Sequence, residues 1–132
     1  MQLNSKTGNI NGSIETVFDF LNDLNNYRDL FPADKISDWE SDKDSCSFKI
    51  KGAASIGFIK KSVEPFSKIN LISGDKSPID FELTILLSDN AGKTEGKIEF
   101  ESNVNPFLRM MIEKPLKNLF ENMIDNMERK FS

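Results

Sequence analysis

The sequence predicts an α+β fold in which a curved antiparallel sheet of about six strands wraps around one long C-terminal helix. Three observations support this prediction. A short helical pattern follows the first segment, a long central stretch alternates apolar and polar residues, and apolar residues recur every three or four positions near the end. Because 132 residues is the length of one ordinary domain, we expect a single domain over residues 1–132.

The C-terminal segment has the spacing of a helix that buries one face. Its apolar positions are Leu108, Ile112, Leu116, Leu119, Phe120, Met123, Ile124, Met127 and Phe131. The helix is predicted to begin near Pro106, because the fixed φ and missing N–H of proline suit the first helical position. A second proline, Pro115, lies inside the segment and predicts a kink or break between Ile112 and Leu116.

The N-terminal segment predicts one strand followed by two short helices. The strand is expected over Leu3 to Asn11. Ser13 is suited to cap a helix from about Ile14 to Asp23, because its hydroxyl accepts hydrogen bonds from the free N–H groups of a first turn. A second helix, from about Asn25 to Leu30, should end before Pro32, since proline disfavours helical conformation in the preceding residue.

The central segment predicts five further strands that share one buried face. Turn-forming residues separate them at Ser41 to Asp44, Pro65 to Ser67, Gly74 to Pro78, and Asp89 to Gly92. Three runs alternate most clearly: Cys46, Phe48, Ile50 and Gly52; Ile79, Phe81, Leu83, Ile85 and Leu87; Ile98 and Phe100. Small residues at buried positions Thr94, Gly96 and Ser102 favour a bend or unfilled volume, and we expect a cavity.

Composition excludes several kinds of function. The chain has eleven Phe, one Tyr and one Trp, which is typical of a packed interior or an apolar cavity. A net charge of −4 disfavours nucleic acid as a partner. The lack of a long apolar segment argues against stable membrane insertion, and a lone cysteine with no secretion signal predicts a cytoplasmic protein.

Residues for metal or catalytic chemistry are scarce. The chain has no histidine and one cysteine, Cys46, so we predict no metal site, no cofactor and no catalytic residue. Asp42 and Asp44 resemble the start of a calcium loop, but the glycine and glutamate that such a loop needs do not follow. A hairpin turn is predicted there instead.

The predicted helical pair carries a pattern similar to that of a known superfamily. The residues are Ser13-Ile-Glu-Thr-Val-Phe-Asp-Phe-Leu-Asn-Asp23, followed by Asn26-Tyr-Arg-Asp-Leu-Phe-Pro32. Together with the order of elements, they resemble the START-related, Bet v 1-like (SRPBCC, polyketide cyclase-like) superfamily over essentially the whole chain. The resemblance implies a helix-grip fold with a hydrophobic cavity between sheet and helix. Members bind lipids, sterols, polyketides, quinones or plant hormones, and some are cyclases or dehydratases.

This chain departs from the superfamily at two points. It has no histidine, and it carries Leu30-Phe31 where many members have tryptophan. The superfamily has no universal catalytic motif, so no catalytic residue is transferred to this sequence.

The leading hypothesis is a noncatalytic binder or carrier of a small hydrophobic ligand such as a lipid, quinone or polyketide-like molecule. Apolar side chains would line its cavity by removing the ligand surface from water. The predicted lining residues are Phe48, Phe58, Phe81, Leu83, Phe100, Leu116, Phe120 and Met123. Ser102, Thr94 or Tyr27 is expected to orient a polar end of the ligand.

Two alternatives remain open on the same fold. A cyclase or dehydratase would polarise a carbonyl with arginine or tyrosine and needs carboxylates that face the cavity, whereas the alternation of the strands places Asp80, Glu82, Glu99 and Glu101 on the solvent side. A protein-interaction module, similar to the cochaperone members, would show a filled core and an exposed apolar patch at Phe107 to Met111.

Overall fold

The computed structural model describes all residues, Met1–Ser132. In chain order the helices are α1 (Ile14–Leu21), a 3₁₀ helix (Leu24–Leu30) and α2 (Pro106–Lys130). The strands are β1 (Gln2–Asn4), β2 (Gly8–Ile10), β3 (Ile36–Ser41), β4 (Ser45–Ile50), β5 (Ser55–Glu64), β6 (Lys68–Ser73), β7 (Phe81–Asn90) and β8 (Lys93–Ser102).

All strands belong to one antiparallel sheet. Its order is β1-β8-β7-β6-β5-β4-β3, and β2 also pairs with β8. The structure confirms the predicted α+β, helix-grip architecture, with eight strands where the sequence pattern predicted about six.

The two additional strands arise from interruptions that alternation does not reveal. The predicted first strand is divided at Ser5, whose N–H donates to the Ile98 carbonyl and whose Oγ accepts from the Ile98 N–H, both at 2.8 Å. The run that begins at β4 turns at Gly52, which has a φ of +80°. Gly52 was predicted to extend the buried face of β4 and instead lies exposed in this turn, because glycine adopts the left-handed region freely.

The N-terminal helices begin and end close to the predicted residues. The Oγ of Ser13 accepts a first-turn N–H of α1 at 3.2 Å. That helix ends at Leu21, two residues earlier than predicted, because the side chain of Asp23 caps the 3₁₀ helix at 3.0 Å. Phe31 is extended immediately before Pro32, as the proline requires.

The C-terminal helix is one continuous element of 25 residues. Its start at Pro106 is as predicted, and the side chain of Asn105 caps it by accepting the Leu108 N–H at 2.8 Å. The helix continues through Pro115, so the predicted possibility of two separate helices is wrong. A proline removes a single i→i−4 hydrogen bond, and the bonds on either side keep the helix intact.

The core lies between the inner face of the sheet and the helices. It is one cluster of 28 buried apolar residues, to which α2 contributes six. In β7, Phe81, Leu83 and the alternate residues that follow are buried as predicted. Strand β2 approaches α2 closely at Gly8, where a Cβ atom would lie 2.6 Å from Cγ2 of Ile124. No helix of the structure combines the length and the apolar character needed to cross a membrane.

Candidate functional site

The residues predicted to line a cavity all lie in the apolar interior between the sheet and α2. None of them exposes more than 6% of its surface. They come from β4, β5, β7, β8 and α2, and they are Phe48, Phe58, Phe81, Leu83, Phe100, Leu116, Phe120 and Met123. The fold therefore brings residues that are far apart in the chain to one apolar region.

Five of these residues form a continuous series of rings, which we call the aromatic row. Successive ring centroids lie 5.1 to 6.1 Å apart in the order Phe48, Phe58, Phe81, Phe100 and Phe120. These separations are typical of aromatic pairs in contact. The row extends from β4, near one edge of the sheet, to α2.

Two further aromatic residues extend the row at its β4 end and were not among the predicted site residues. The ring centroid of Phe31 lies 4.5 Å from that of Phe48, that of Trp39 lies 5.5 Å from Phe48, and the two lie 6.0 Å from each other. Phe31 is buried, whereas Trp39 is half-buried and its Nε1 donates to Ser41 at 3.0 Å. In the sequence, the only indication that Phe31 belongs to the site was that an aromatic residue stands immediately before Pro32.

The small residues on the buried face of β8 admit neighbouring groups. The methyl Cδ1 of Ile10 lies 3.1 Å from where a Cβ of Gly96 would stand. The hydroxyl of Thr94 donates to the Gly12 carbonyl at 2.9 Å, and that of Ser102 donates to a carbonyl of the chain at 2.6 Å. Close packing and the attachment of loops therefore account for the small residues at these three positions.

The pronounced concavities of the molecule open at its surface. Four of them have volumes of about 330, 500, 180 and 520 Å³. None is lined by more than one of the eight predicted residues. In this conformation the predicted lining residues pack among themselves and their core neighbours.

The interior is apolar and carries no charged side chain. No Asp, Glu, Lys or Arg is buried. The hydroxyl of Tyr27 donates to the Leu21 carbonyl at 2.8 Å, and burial raises the pKa of this tyrosine. Burial also raises the pKa of the Cys46 thiol to about 12, so the thiol stays protonated near neutral pH and is a weak nucleophile.

The carboxylates and arginines considered for an enzyme lie outside the interior. Asp80, Glu82, Glu99 and Glu101 are exposed, as the alternation of the strands predicted. Arg109 is on the surface of α2, where its hydrogen bond to Glu113 raises its pKa. Arg28 is also exposed.

The predicted hairpin turn at Asp42 is confirmed. Its Oδ1 accepts the backbone N–H groups of Asp44 and Ser45, each at 2.8 Å, and these bonds lower the pKa of Asp42. No group of three or more His, Cys, Asp or Glu side chains is placed to hold a metal ion.

The first turns of α2 expose large apolar side chains more fully than any other part of the molecule. We call Pro106–Met111 the α2 tip. Within it Phe107 is 74% exposed, Met110 82% and Met111 60%. The tip follows β8 after the three residues 103–105, at the end of the sheet where β4 and β6 also end.

No protein-family model matches the sequence, and no curated protein sequence matches it either. Solved structures do match in fold. A conserved protein from Geobacillus kaustophilus has a TM-score of 0.75 at 14% identity, covering 99% of this chain and 95% of that one. The protein XoxI from Bacillus cereus has a TM-score of 0.77 at 10% identity, covering 98% and 94%.

A more distant match is the solution structure of the Aha1 dimer from Colwellia psychrerythraea. Its TM-score is 0.58 at 16% identity, and the alignment covers 92% of this chain and 96% of that one. These full-length likenesses show that the chain has the START-related, Bet v 1-like fold. At such low identity they show the fold alone.

Proposed function

We propose that the protein binds one small, uncharged, apolar molecule between the sheet and α2, as a binder or carrier rather than an enzyme. The observation that carries this proposal is the aromatic row, which passes through an interior without charged side chains. The proposed lining residues are Phe48, Phe58, Phe81, Leu83, Phe100, Leu116, Phe120 and Met123. Ligand pockets are typically walled by such apolar and aromatic side chains.

The polar groups of the interior favour a ligand with few hydrogen-bonding atoms. Thr94, Ser102 and Tyr27 each donate their hydroxyl hydrogen to a backbone carbonyl. Because those hydrogens are already used, a ligand acceptor or charge left unpaired among these residues would lose its hydration without compensation. A hydrocarbon chain or an aromatic ring system, as in a lipid, a quinone or a polyketide-like molecule, meets this requirement.

Access to the interior would be through the N-terminal part of α2. No residue between Pro106 and Lys114 is buried, whereas Leu116 and the apolar residues after it are. Pro115 has no N–H to bond the carbonyl of Met111, so this part of the helix is held by one hydrogen bond fewer. Because the interior is packed in this conformation, binding would require the first turns of α2 to move away from the sheet.

Native mass spectrometry of gently purified protein, beside a solvent-extracted sample, tests the proposal. We expect a discrete adduct that extraction removes, and the extracted protein should take up the apolar fluorophore N-phenyl-1-naphthylamine. A bare chain that takes up neither the fluorophore nor any member of a lipid and quinone panel would overturn the proposal. The packed interior would then favour a protein-interaction module on the same fold.

A pair of variants on α2 tests the route of access. Ile112 is half-buried against the core, so Ile112→Glu places a charge on the route and should weaken fluorophore uptake by about tenfold or more. Met110→Glu makes the same change on the same helix at a position that is 82% exposed, and it should leave uptake unchanged. Equal uptake by both variants would contradict access beneath α2.

A further inference from the structure

We propose that the α2 tip docks reversibly onto an anionic lipid surface. The tip presents Phe107, Met110 and Met111, which are exposed to 74%, 82% and 60%. The other exposed large apolar residues are only 36% to 42% exposed, and they lie on β5 and the turn that follows it. Clustered apolar side chains with this degree of exposure mark an interaction surface.

The charges around the tip point to a negatively charged partner. Arg109, Lys114 and Lys117 against Glu113 give Pro106–Lys117 a charge of +2, so the rest of this chain of net charge −4 carries −6. Lys117 pairs with Glu121 at 3.2 Å. The positive charge left beside the exposed apolar side chains is therefore mainly that of Lys114, in an otherwise acidic molecule. Basic residues beside inserted Phe or Met side chains are typical of helices that bind anionic lipid surfaces.

One cation beside the tip, Lys114, is free to meet a lipid headgroup. Lys114 makes no ion pair and is exposed, one turn after Met110 and Met111. Arg109 pairs with Glu113 at 3.1 Å, so its charge is partly neutralised within the helix. Lys114 is therefore the residue at which a charge change should weaken docking without removing an internal contact.

The size of the patch favours a lipid surface over a second copy of the chain. Burying the exposed parts of these three side chains, about 150 Å² each, would contribute only a little more than half of the ~800 Å² per partner that a standard protein interface uses. Docking onto a lipid surface requires only that the exposed side chains insert between the lipids and that the headgroup charges complement the cations. The docking proposal stands on the surface of α2 and does not depend on ligand binding in the interior.

Vesicle sedimentation tests the proposal with the intact protein. We expect binding to vesicles of phosphatidylcholine with phosphatidylglycerol and much weaker binding to phosphatidylcholine alone. Raising the salt from about 0.1 M to about 1 M shortens the screening length from about 10 Å to about 3 Å and should reduce binding. The triple variant Phe107→Ser, Met110→Ser, Met111→Ser should lose about tenfold or more in affinity, and Lys114→Gln, which removes one positive charge, about fivefold.

A matched control is the double variant Val63→Ser, Phe66→Ser, which removes exposed apolar side chains elsewhere and should bind vesicles normally. Undiminished binding by the triple variant, or no preference for anionic vesicles, would overturn the proposal. Light scattering that shows a wild-type dimer and a monomeric triple variant would also overturn it, since a second copy would then cover the tip. Fluorophore uptake without vesicles reports ligand binding separately, so failure of either proposal is recognised independently.

Discussion

The part of α2 before Pro115 is richer in apolar residues than the part after it, yet it is the part that stays unburied. Between Pro106 and Lys114, five of nine residues are apolar and none is buried. After Pro115, all six apolar residues of the helix are buried. Apolar spacing in a helix therefore indicates which face is available for burial, and the surrounding elements decide how much of that face is covered.

The contacts of the two parts explain the difference. In the second part, the side chain of Asn126 donates to the Leu30 carbonyl at 2.8 Å, and Glu128 accepts the Asn9 N–H at 2.9 Å. These bonds attach the helix to the 3₁₀ helix and to β2. The side chains of the first part make hydrogen bonds only within α2, between Arg109 and Glu113.

The largest expected contrast is between two phenylalanines of α2. Phe120 is fully buried at the end of the aromatic row, so Phe120→Ala should lower the free energy of unfolding by about 3–5 kcal/mol. Phe107 is 74% exposed, so Phe107→Ala should change the free energy of unfolding by about 0.5 kcal/mol or less. Chemical denaturation measures both, and similar losses would show that the α2 tip is packed in solution.

A smaller effect is expected where β2 touches the buried part of α2. In Gly8→Ala the new methyl would lie 2.6 Å from Cγ2 of the buried Ile124, and overpacking of this kind costs about 1–3 kcal/mol. Gly57→Ala is the control, because its nearest neighbour lies at 3.5 Å, an ordinary contact distance. Unchanged thermal stability of Gly8→Ala would mean that α2 is held less closely than the structure shows.

The smallest effect is expected at the boundary between the two parts. Proline in a helix interior is about 3 kcal/mol less favourable than alanine. Replacing proline also raises the conformational entropy of the unfolded chain, which offsets this gain by up to about 1 kcal/mol. We expect Pro115→Ala to stabilise the protein by about 1–2 kcal/mol and to slow hydrogen exchange in the α2 tip. Exchange that is equally slow on both sides of Pro115 in the wild type would contradict a mobile first part.

Much of the sheet was predictable from the sequence because alternation is a local property of a strand. The buried sets on β7 and β8, and the exposed acids between them, follow from the pleat alone. The turn at Gly52 and the division at Ser5 were not predictable, since each depends on a backbone conformation or a bond to a distant residue. The residues of the aromatic row were predicted as a set, but their contiguous series of ring contacts and the addition of Phe31 and Trp39 were not.

By itself, the sequence determined the fold class, the long closing helix and most of the residues in the interior of the protein. Periodicity and capping act within a few residues along the chain, so they can be recognised locally. Only the tertiary structure decided that the interior is packed in this conformation and that the α2 tip stands exposed. The packing of the interior and the exposure of the tip both depend on how much of one element is covered by another. At Gly96, for example, the side chain of Ile10 fills the space beside β8. Such contacts join residues distant in sequence, and local patterns carry no record of them.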